Sequence, residues 1–217
     1  MSGDSILIVD DEIEIVDLLE VYLKNENYLV RKCYSPIEAL SIVEKEHYSL
    51  AILDVMMPEM DGFTLCQKIR EKHFFPIIML TAKTEDMSKI QGLSLGADDY
   101  ITKPFNPLEL VARVKSQLRR YTKFGNMAQE SNLIYKTGGL VINDDTKEVT
   151  VDGENVRLTP IEYNILLLLV KNQGKVFSIN QIYENIWNED AIGADNTVAV
   201  HIRHIREKIE INPKEPR

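Results

Sequence analysis

Over roughly the first 120 residues of this 217-residue chain, short continuously apolar runs alternate with longer stretches of helical period. Strand-like runs are predicted at Ile6 to Val9, Leu29 to Cys33, Leu50 to Leu53, Ile77 to Leu80 and around Tyr100-Ile101. Between them, apolar positions recur at helical spacing, as in Ile15, Leu18, Leu19, Tyr22 and Leu23, or Leu108, Val111, Ala112, Lys115 and Leu118. Strands regularly separated by helices imply right-handed βαβ crossovers, and hence a five-stranded parallel sheet, doubly wound, with both faces covered. Burial on both faces explains why the strands read as apolar throughout rather than alternating.

Two of those runs stop on carboxylates: Ile6-Leu7-Ile8-Val9 on Asp10-Asp11-Glu12, and Leu50-Ala51-Ile52-Leu53 on Asp54. An unpaired buried carboxylate is costly, so these acids must face water or be neutralised together. In an open parallel sheet, ligands bind beyond the carboxyl ends of the strands. Asp10, Asp11 and Asp54 sit at such ends, and so do Thr81 and Lys103. The acids can therefore share a cation in a mouth open to water. Oxygen ligands without Cys or His suit Mg²⁺ better than zinc. Any one of the acids alone could equally be a helix cap or turn former.

After the helical pattern ends, residues 122–132 lose periodicity and gain Gly, Asn and Ser, as a linker does. Beyond it, Leu140-Val141-Ile142, Glu148 to Val151 and Val156-Arg157-Leu158, separated by Asn143-Asp144-Asp145 and Asp152-Gly153-Glu154, predict a small antiparallel meander. Thr159-Pro160-Ile161-Glu162 is a capping box with proline at the first helical position, opening an apolar helix through Val170. Ser178 to Gln181 repeats the capping signal before a helix ending near Trp187, and a loop spans Asn188 to Ala194. Asp195-Asn196-Thr197 opens a third helix with a buried stripe of Val198, Ile202, Ile205 and Ile209. Its other side is expected to expose Thr197, Val200, His201, His204 and Lys208, flanked by Arg203 and Arg206. Such a face suits the phosphates and base edges of a DNA major groove, although a plain solvated face has the same composition. A zinc pair at His201 and His204 is disfavoured, because no Cys or carboxylate cluster stands nearby at ligand spacing.

Composition narrows the picture. The length allows two ordinary domains, each with its own core. No apolar run approaches the span of a bilayer and the start of the chain lacks a signal peptide's basic region, so the expected compartment is the cytoplasm, with no membrane partner. Cys33 and Cys66 are the only cysteines, both in apolar-periodic segments, and read as reduced core thiols. The net charge of -9 argues against a wholesale polyanion binder. Over residues 121–217 there are 14 Asp and Glu against 11 Lys and Arg, so any DNA-binding surface must be local.

Asp10-Asp11-Glu12, Leu53 to Gly62 (LDVMMPEMDG), Leu80-Thr81-Ala82 and Asp98 to Phe105 (DDYITKPF) together resemble the receiver domain of bacterial response regulators, over about residues 4–121. The resemblance implies a flavodoxin-like fold and a phosphoryl group accepted on Asp54 from a sensor histidine kinase. It assigns the metal to Asp11, Asp54 and the Met56 carbonyl, with Asp10 holding a metal-bound water. Lys103 would pair with the phosphoryl oxygens, and the Thr81 hydroxyl and Ala82 amide would donate to another. The proline matching Pro104 usually follows a cis peptide. As Thr81 moves to the phosphoryl group, Tyr100 would rotate inward, changing the face made by the fourth helix, fifth strand and fifth helix. Lys89 with Glu109, Asp99 with Arg113 and Asp98 with Arg120 would then pair across a homodimer.

Leu140 to Lys208, especially LTPIEY at 158–163 and NTVAVHIRHIREK at 196–208, resembles the winged-helix output domain of OmpR/PhoB-type regulators. Within that family the chain looks most like the VanR-type regulators of vancomycin resistance. The expected organisation is a receiver over 1–121, a linker over 122–132 and an α+β winged helix-turn-helix over 133–217. Asn196, Thr197, Val200, His201, Arg203, His204, Arg206 and Lys208 would meet promoter DNA, with RNA polymerase as a further implied partner. The family continues past Pro216-Arg217 with a β-hairpin wing, so this form is expected to lack it and to bind DNA less tightly. Two alternatives stand beside this reading. One is a receiver acting through protein contacts with an impaired output. The other is an aspartyl-phosphate phosphatase, disfavoured because Met56 occupies the place of that family's second Asp.

Overall fold

In the computed structural model the described residues are 4–82, 96–123, 134–187 and 195–215, without the side chains of 120–123 and 195–196. Lys89, the Arg120 and Asn196 side chains, most of the expected linker and the 188–194 loop thus lie outside the described residues. The chain divides into two compact units, Met1–Tyr121 and Thr122–Arg217.

The first unit runs β1 (Ser5–Val9), α1 (Ile13–Asn25), β2 (Leu29–Cys33), α2 (Pro36–Val43), β3 (Leu50–Asp54), α3 (Gly62–Arg70), β4 (Ile77–Ala82), β5 (Asp99–Lys103) and α4 (Pro107–Lys123). Its five strands form one parallel sheet in the order β2-β1-β3-β4-β5. This order reverses between β1 and β3, where a doubly wound sheet opens a crevice. Successive strand side chains point to opposite faces, so Leu7, Val9, Ala51, Leu53, Ile77 and Met79 pack on one side. Ile6, Ile8, Leu50, Ile52, Ile78 and Leu80 pack on the other. Fully burying one such side chain contributes about 1.5–3 kcal/mol, and this two-sided core fixes the ends of β1, β3 and β5.

The core-facing stripe of α4 is Leu110, Val111, Val114, Gln117 and Leu118. This corrects the sequence pattern, since Leu108, Ala112 and Lys115 face solvent. Starting the period at Leu108 places the stripe about two residues early, because Pro107 and Leu108 belong to the capping turn held by the Asn106 carboxamide.

The second unit is a four-stranded antiparallel meander, β6 (Ile134–Thr137), β7 (Leu140–Asn143), β8 (Glu148–Val151) and β9 (Glu154–Asn155), followed by α5 (Pro160–Lys171), α6 (Ile179–Trp187) and α7 (Asp195–Ile209). β6, not anticipated from the sequence, pairs in register with β7. The last strand is Glu154–Asn155 rather than Val156 to Leu158, although the Val156 amide still donates to the Val149 carbonyl. Both capping boxes form. Thr159 and Glu162 exchange bonds at α5, and Ser178 and Gln181 do so at α6. Ile142, Ile161, Ile165, Trp187, Val198 and Ile205 make the core under the helices. No described helix is long and apolar enough to cross a membrane.

Candidate phosphoacceptor pocket and output helix

Three strand ends converge in the first unit. β1 delivers Asp10 just past Val9, β3 ends on Asp54, and β5 ends on Lys103. The Lys103 ammonium lies 2.7 Å from Asp54 Oδ1, 2.8 Å from Asp10 Oδ2 and 3.1 Å from Glu12 Oε1. Asp10 is fully buried, Asp54 is 3% exposed and Asp11 faces solvent. The second oxygens of the buried pair are also engaged: the Met56 amide donates to Asp54 Oδ2 at 2.7 Å and the Glu12 amide to Asp10 Oδ1 at 2.9 Å. Glu12 had no role in the sequence reading, although a third acid after a strand was itself the signal.

The approach of α3 holds Asp54 in place. A Cβ added at Gly62 would sit 1.9 Å from the Asp54 carbonyl oxygen, so only glycine lets the helix start this close to the strand end. The Gly62 amide donates to the Val55 carbonyl, and the Asp61 carboxylate caps the helix by accepting from the Thr64 amide at 2.7 Å.

Burial pushes the Asp54 carboxyl above the usual range; the Lys103 hydrogen bond opposes this and the Asp10 charge adds to it. For Lys103 burial works against the charge, but hydrogen bonds to Asp10 and Asp54 outweigh it and hold the amine protonated well above the usual lysine range. Carboxylate oxygens of Asp10, Asp11 and Asp54 all lie within 4.8 Å of one another. The donors are all oxygen and Asp11 is open to water, which fits a hard divalent cation such as Mg²⁺.

Thr81 is buried one residue beyond Leu80, the register partner of Asp54, and its hydroxyl donates at 3.4 Å to the Ala82 carbonyl. Ala82 is exposed and lies opposite Lys103 across β4 and β5. Tyr100 is half-buried against the core on the α2 and α3 side of the sheet, and the Lys103-Pro104 peptide is cis.

The expected dimer residues separate. Arg113 donates to both oxygens of Asp99 at 3.3 Å and to Glu109 at 3.1 Å, forming a cluster within one chain. Asp98 is a correction. It is fully buried, 2.6 Å from Arg70 and accepting from the Ile77 amide at 2.8 Å, so it cannot reach across a surface to Arg120. It lies where the chain enters β5, and the strand's alternation turns it inward as Asp99 turns toward α4.

The output helix also departs from expectation. Thr197 and His201 are buried, His201 at 1% exposure beside the Trp187 ring. At about 100° per residue, His201 lies roughly 60° from Val198 and 40° from Ile205, on the core stripe rather than opposite it. Ile202 and Ile209 are only partly buried. The solvent-facing stripe is Ala199, Arg203, Arg206 and Glu207, with Val200 at its edge, and Arg203 bonds Glu207 at 2.8 Å. Lys208 bonds Glu162 at 2.5 Å, and half-buried His204 lies 3.7 Å from the same carboxylate. Burial pushes the His201 imidazole down to about 3, with the charges of His204 and Lys208 adding to it. The carboxylate that the sequence spacing failed to offer the two histidines is thus supplied from another helix.

The fold and the pocket define a phosphoreceiver joined to a helical output domain, and comparison with known proteins agrees. The response regulator receiver domain matches residues 6–115. The C-terminal domain of transcriptional regulatory proteins matches residues 153–217. The chain belongs to the OmpR/PhoB-type response regulators and is a phosphorylation-dependent regulator of transcription. It is 52% identical to Regulatory protein VanR of Enterococcus faecium, covering 98% of this chain and 94% of that protein. Regulatory protein VanRc of Enterococcus gallinarum is 48% identical, covering 99% and 94%. The crystal structure of DrrB, a Thermotoga maritima OmpR/PhoB homologue, aligns with a TM-score of 0.54 at 32% identity, over 99% of this chain and 93% of that one.

Proposed function

We propose that Asp54 is the acceptor of the phosphoryl group. The observation that carries this is the convergence of a buried carboxylate, two further acids and one lysine at the carboxyl ends of β1, β3 and β5. A carboxylate oxygen of Asp54 forms the new bond to phosphorus as the bond to the donor's leaving group breaks, giving a mixed anhydride. Lys103 offsets the charge on the transferring oxygens, and the Thr81 hydroxyl and Ala82 amide donate to them. Asp11, Asp54 and the Met56 carbonyl, with Asp10 behind them, would hold Mg²⁺, which supplies further positive charge at the transferring oxygens.

Thr81 and Tyr100 act as the switch pair, and Lys89, Asp99, Glu109 and Arg113 contribute to the surface through which two chains associate. Arg113 must then exchange part of its bonding within the chain for bonding across the two-fold axis. The donor is a sensor histidine kinase, and this chain meets it in the cytoplasm. Promoter DNA is met by the exposed side of α7, led by Arg203 and Arg206 with Val200 and Lys208 beside them, while Thr197 and His201 position the helix from its inner side.

Asp54→Asn should abolish uptake of phosphate from a small phosphodonor in Mg²⁺, and Asp11→Ala should do the same by removing a metal ligand. An acyl phosphate formed at the parent rate by Asp54→Asn would place the nucleophile elsewhere.

A further inference from the structure

We propose that Glu162, His201 and His204 form a second metal site, in the output domain, for a borderline divalent transition metal of the Zn²⁺, Co²⁺ or Ni²⁺ kind. Glu162 stands in the first turn of α5, and the histidines stand three residues apart on one side of α7. One ligand atom from each lies within 4.8 Å of the other two. Two imidazoles and a carboxylate, with a fourth position for water, form a common donor set for such ions and a poor one for Mg²⁺.

His201 points independently to a ligand. It is 1% exposed, and among the described residues neither ring nitrogen has a hydrogen-bond partner. A buried polar atom left unsatisfied costs about 1–3 kcal/mol, so a ring nitrogen beside a carboxylate and a second imidazole calls for a partner. The carboxylate divides its work suitably. Glu162 Oε2 accepts from the Thr159 amide at 2.8 Å and from Lys208 at 2.5 Å, while Oε1 faces His204 Nδ1 at 3.7 Å. Two ligands on one tetrahedral ion stand about 3.4 Å apart, so Oε1 and His204 need only a small closing movement and the helix cap on Oε2 survives. His204 is 14% exposed and gives the site its opening to water.

Lys208 opposes the ion. Its ammonium already neutralises Glu162, but its partly exposed side chain can swing into solvent. An ion bound here would tie α7 to the start of α5, and so fix the helix that the proposed function sets against DNA.

The receiver acids also take divalent cations, so the test uses the untagged full chain carrying Asp11→Asn, in excess Mg²⁺, titrated with Co²⁺ by visible absorption and with Zn²⁺ by calorimetry. One ion per chain is expected. His204→Gln, at a half-buried position, should weaken binding about tenfold or more, and His201→Gln should do so where it folds. Lys208→Gln should tighten it. Absence of binding up to about 1 mM, an affinity unchanged by His204→Gln, or one unchanged by Lys208→Gln would overturn the site.

Discussion

Replacing Lys103 by methionine tests whether this lysine is the counterion that lets the receiver fold with two buried acids. Methionine keeps much of the hydrocarbon stem and removes the ammonium that lies 2.7 and 2.8 Å from Asp54 and Asp10. At an effective dielectric of about 20, one such contact has a gross Coulomb energy of about 6 kcal/mol. Most of that is offset by desolvation, and the backbone amides of Met56 and Glu12 still serve the remaining oxygens. Stranding a buried charge costs about 3–5 kcal/mol net, and the 18% exposure of Lys103 argues for the lower end, about 3 kcal/mol. Added Mg²⁺ should recover part of the loss, because a cation bound to the folded acids stabilises the fold by mass action and no longer competes with the ammonium.

Trp187 is the only tryptophan and lies in the other unit, so the readout is amide exchange at β1 and β3 across a urea series, with chelator or with Mg²⁺. A loss below about 1 kcal/mol in chelator, or one that Mg²⁺ leaves unchanged, would refute the counterion argument.

Asp54→Asn should stabilise the metal-free receiver at neutral pH. The folded carboxyl titrates above its ordinary 3.8, so its stability contribution is present below that value and lost as pH rises; equal exchange protection in parent and variant would contradict this. Gly62→Ala should cost more than about 3 kcal/mol, because the new Cβ meets strand backbone that cannot yield, and a melting temperature within a degree or two of the parent would show that α3 can shift. In the output unit, His201 is held neutral by burial, its folded value about 3 against an ordinary 6.5. The stability tied to it is therefore complete above about pH 6.5 and falls toward pH 3 by about 1.4 kcal/mol per pH unit. His201→Gln should flatten that part of the curve followed by Trp187 fluorescence, and parallel curves would remove His201 from the account.

The parallel sheet was legible because burial on both faces leaves an unbroken apolar run, and the pocket because charge has no place at the end of such a run except in a shared site. What the sequence concealed were choices between neighbours. Asp98 and Asp99 are chemically identical, yet strand alternation sends one to Arg70 and the other to Arg113. The polarity of His201 suggests an outward place, but its angle from Val198 and Ile205 puts it on the core stripe, where the structure has it. Glu162 reads as a cap from the sequence, but its bond to Lys208 joins residues 46 apart, and no local pattern records that.

The same lysine that neutralises the buried acids also bears on how a signal at Asp54 would be sent. With Asp54 as acceptor, modification replaces one carboxylate charge by a group carrying roughly -1.5 to -2, in a pocket where the Lys103 ammonium is already shared among Asp10, Glu12 and Asp54. Lys103 cannot serve the new oxygens without loosening its hold on the acids beside β1. It stands at the end of β5, beside Ala82 of β4, and the two residues proposed as the switch, Thr81 and Tyr100, are on the same pair of strands. Redistribution of this charge would therefore act on β4 and β5 as well as on the end of β1. Asp99, at the start of β5, is held by Arg113 of α4, so a shift of the strand would bear on the Asp99, Arg113 and Glu109 cluster. In that cluster only the contact to the exposed Glu109 is cheap to break, roughly 0 to 1 kcal/mol, whereas Asp99 is itself buried and holds Arg113 more firmly. The bond of the neighbouring Asp98 to Arg70, with Asp98 fully buried and Arg70 nearly so, is costly to disturb and anchors the same end of β5 to α3.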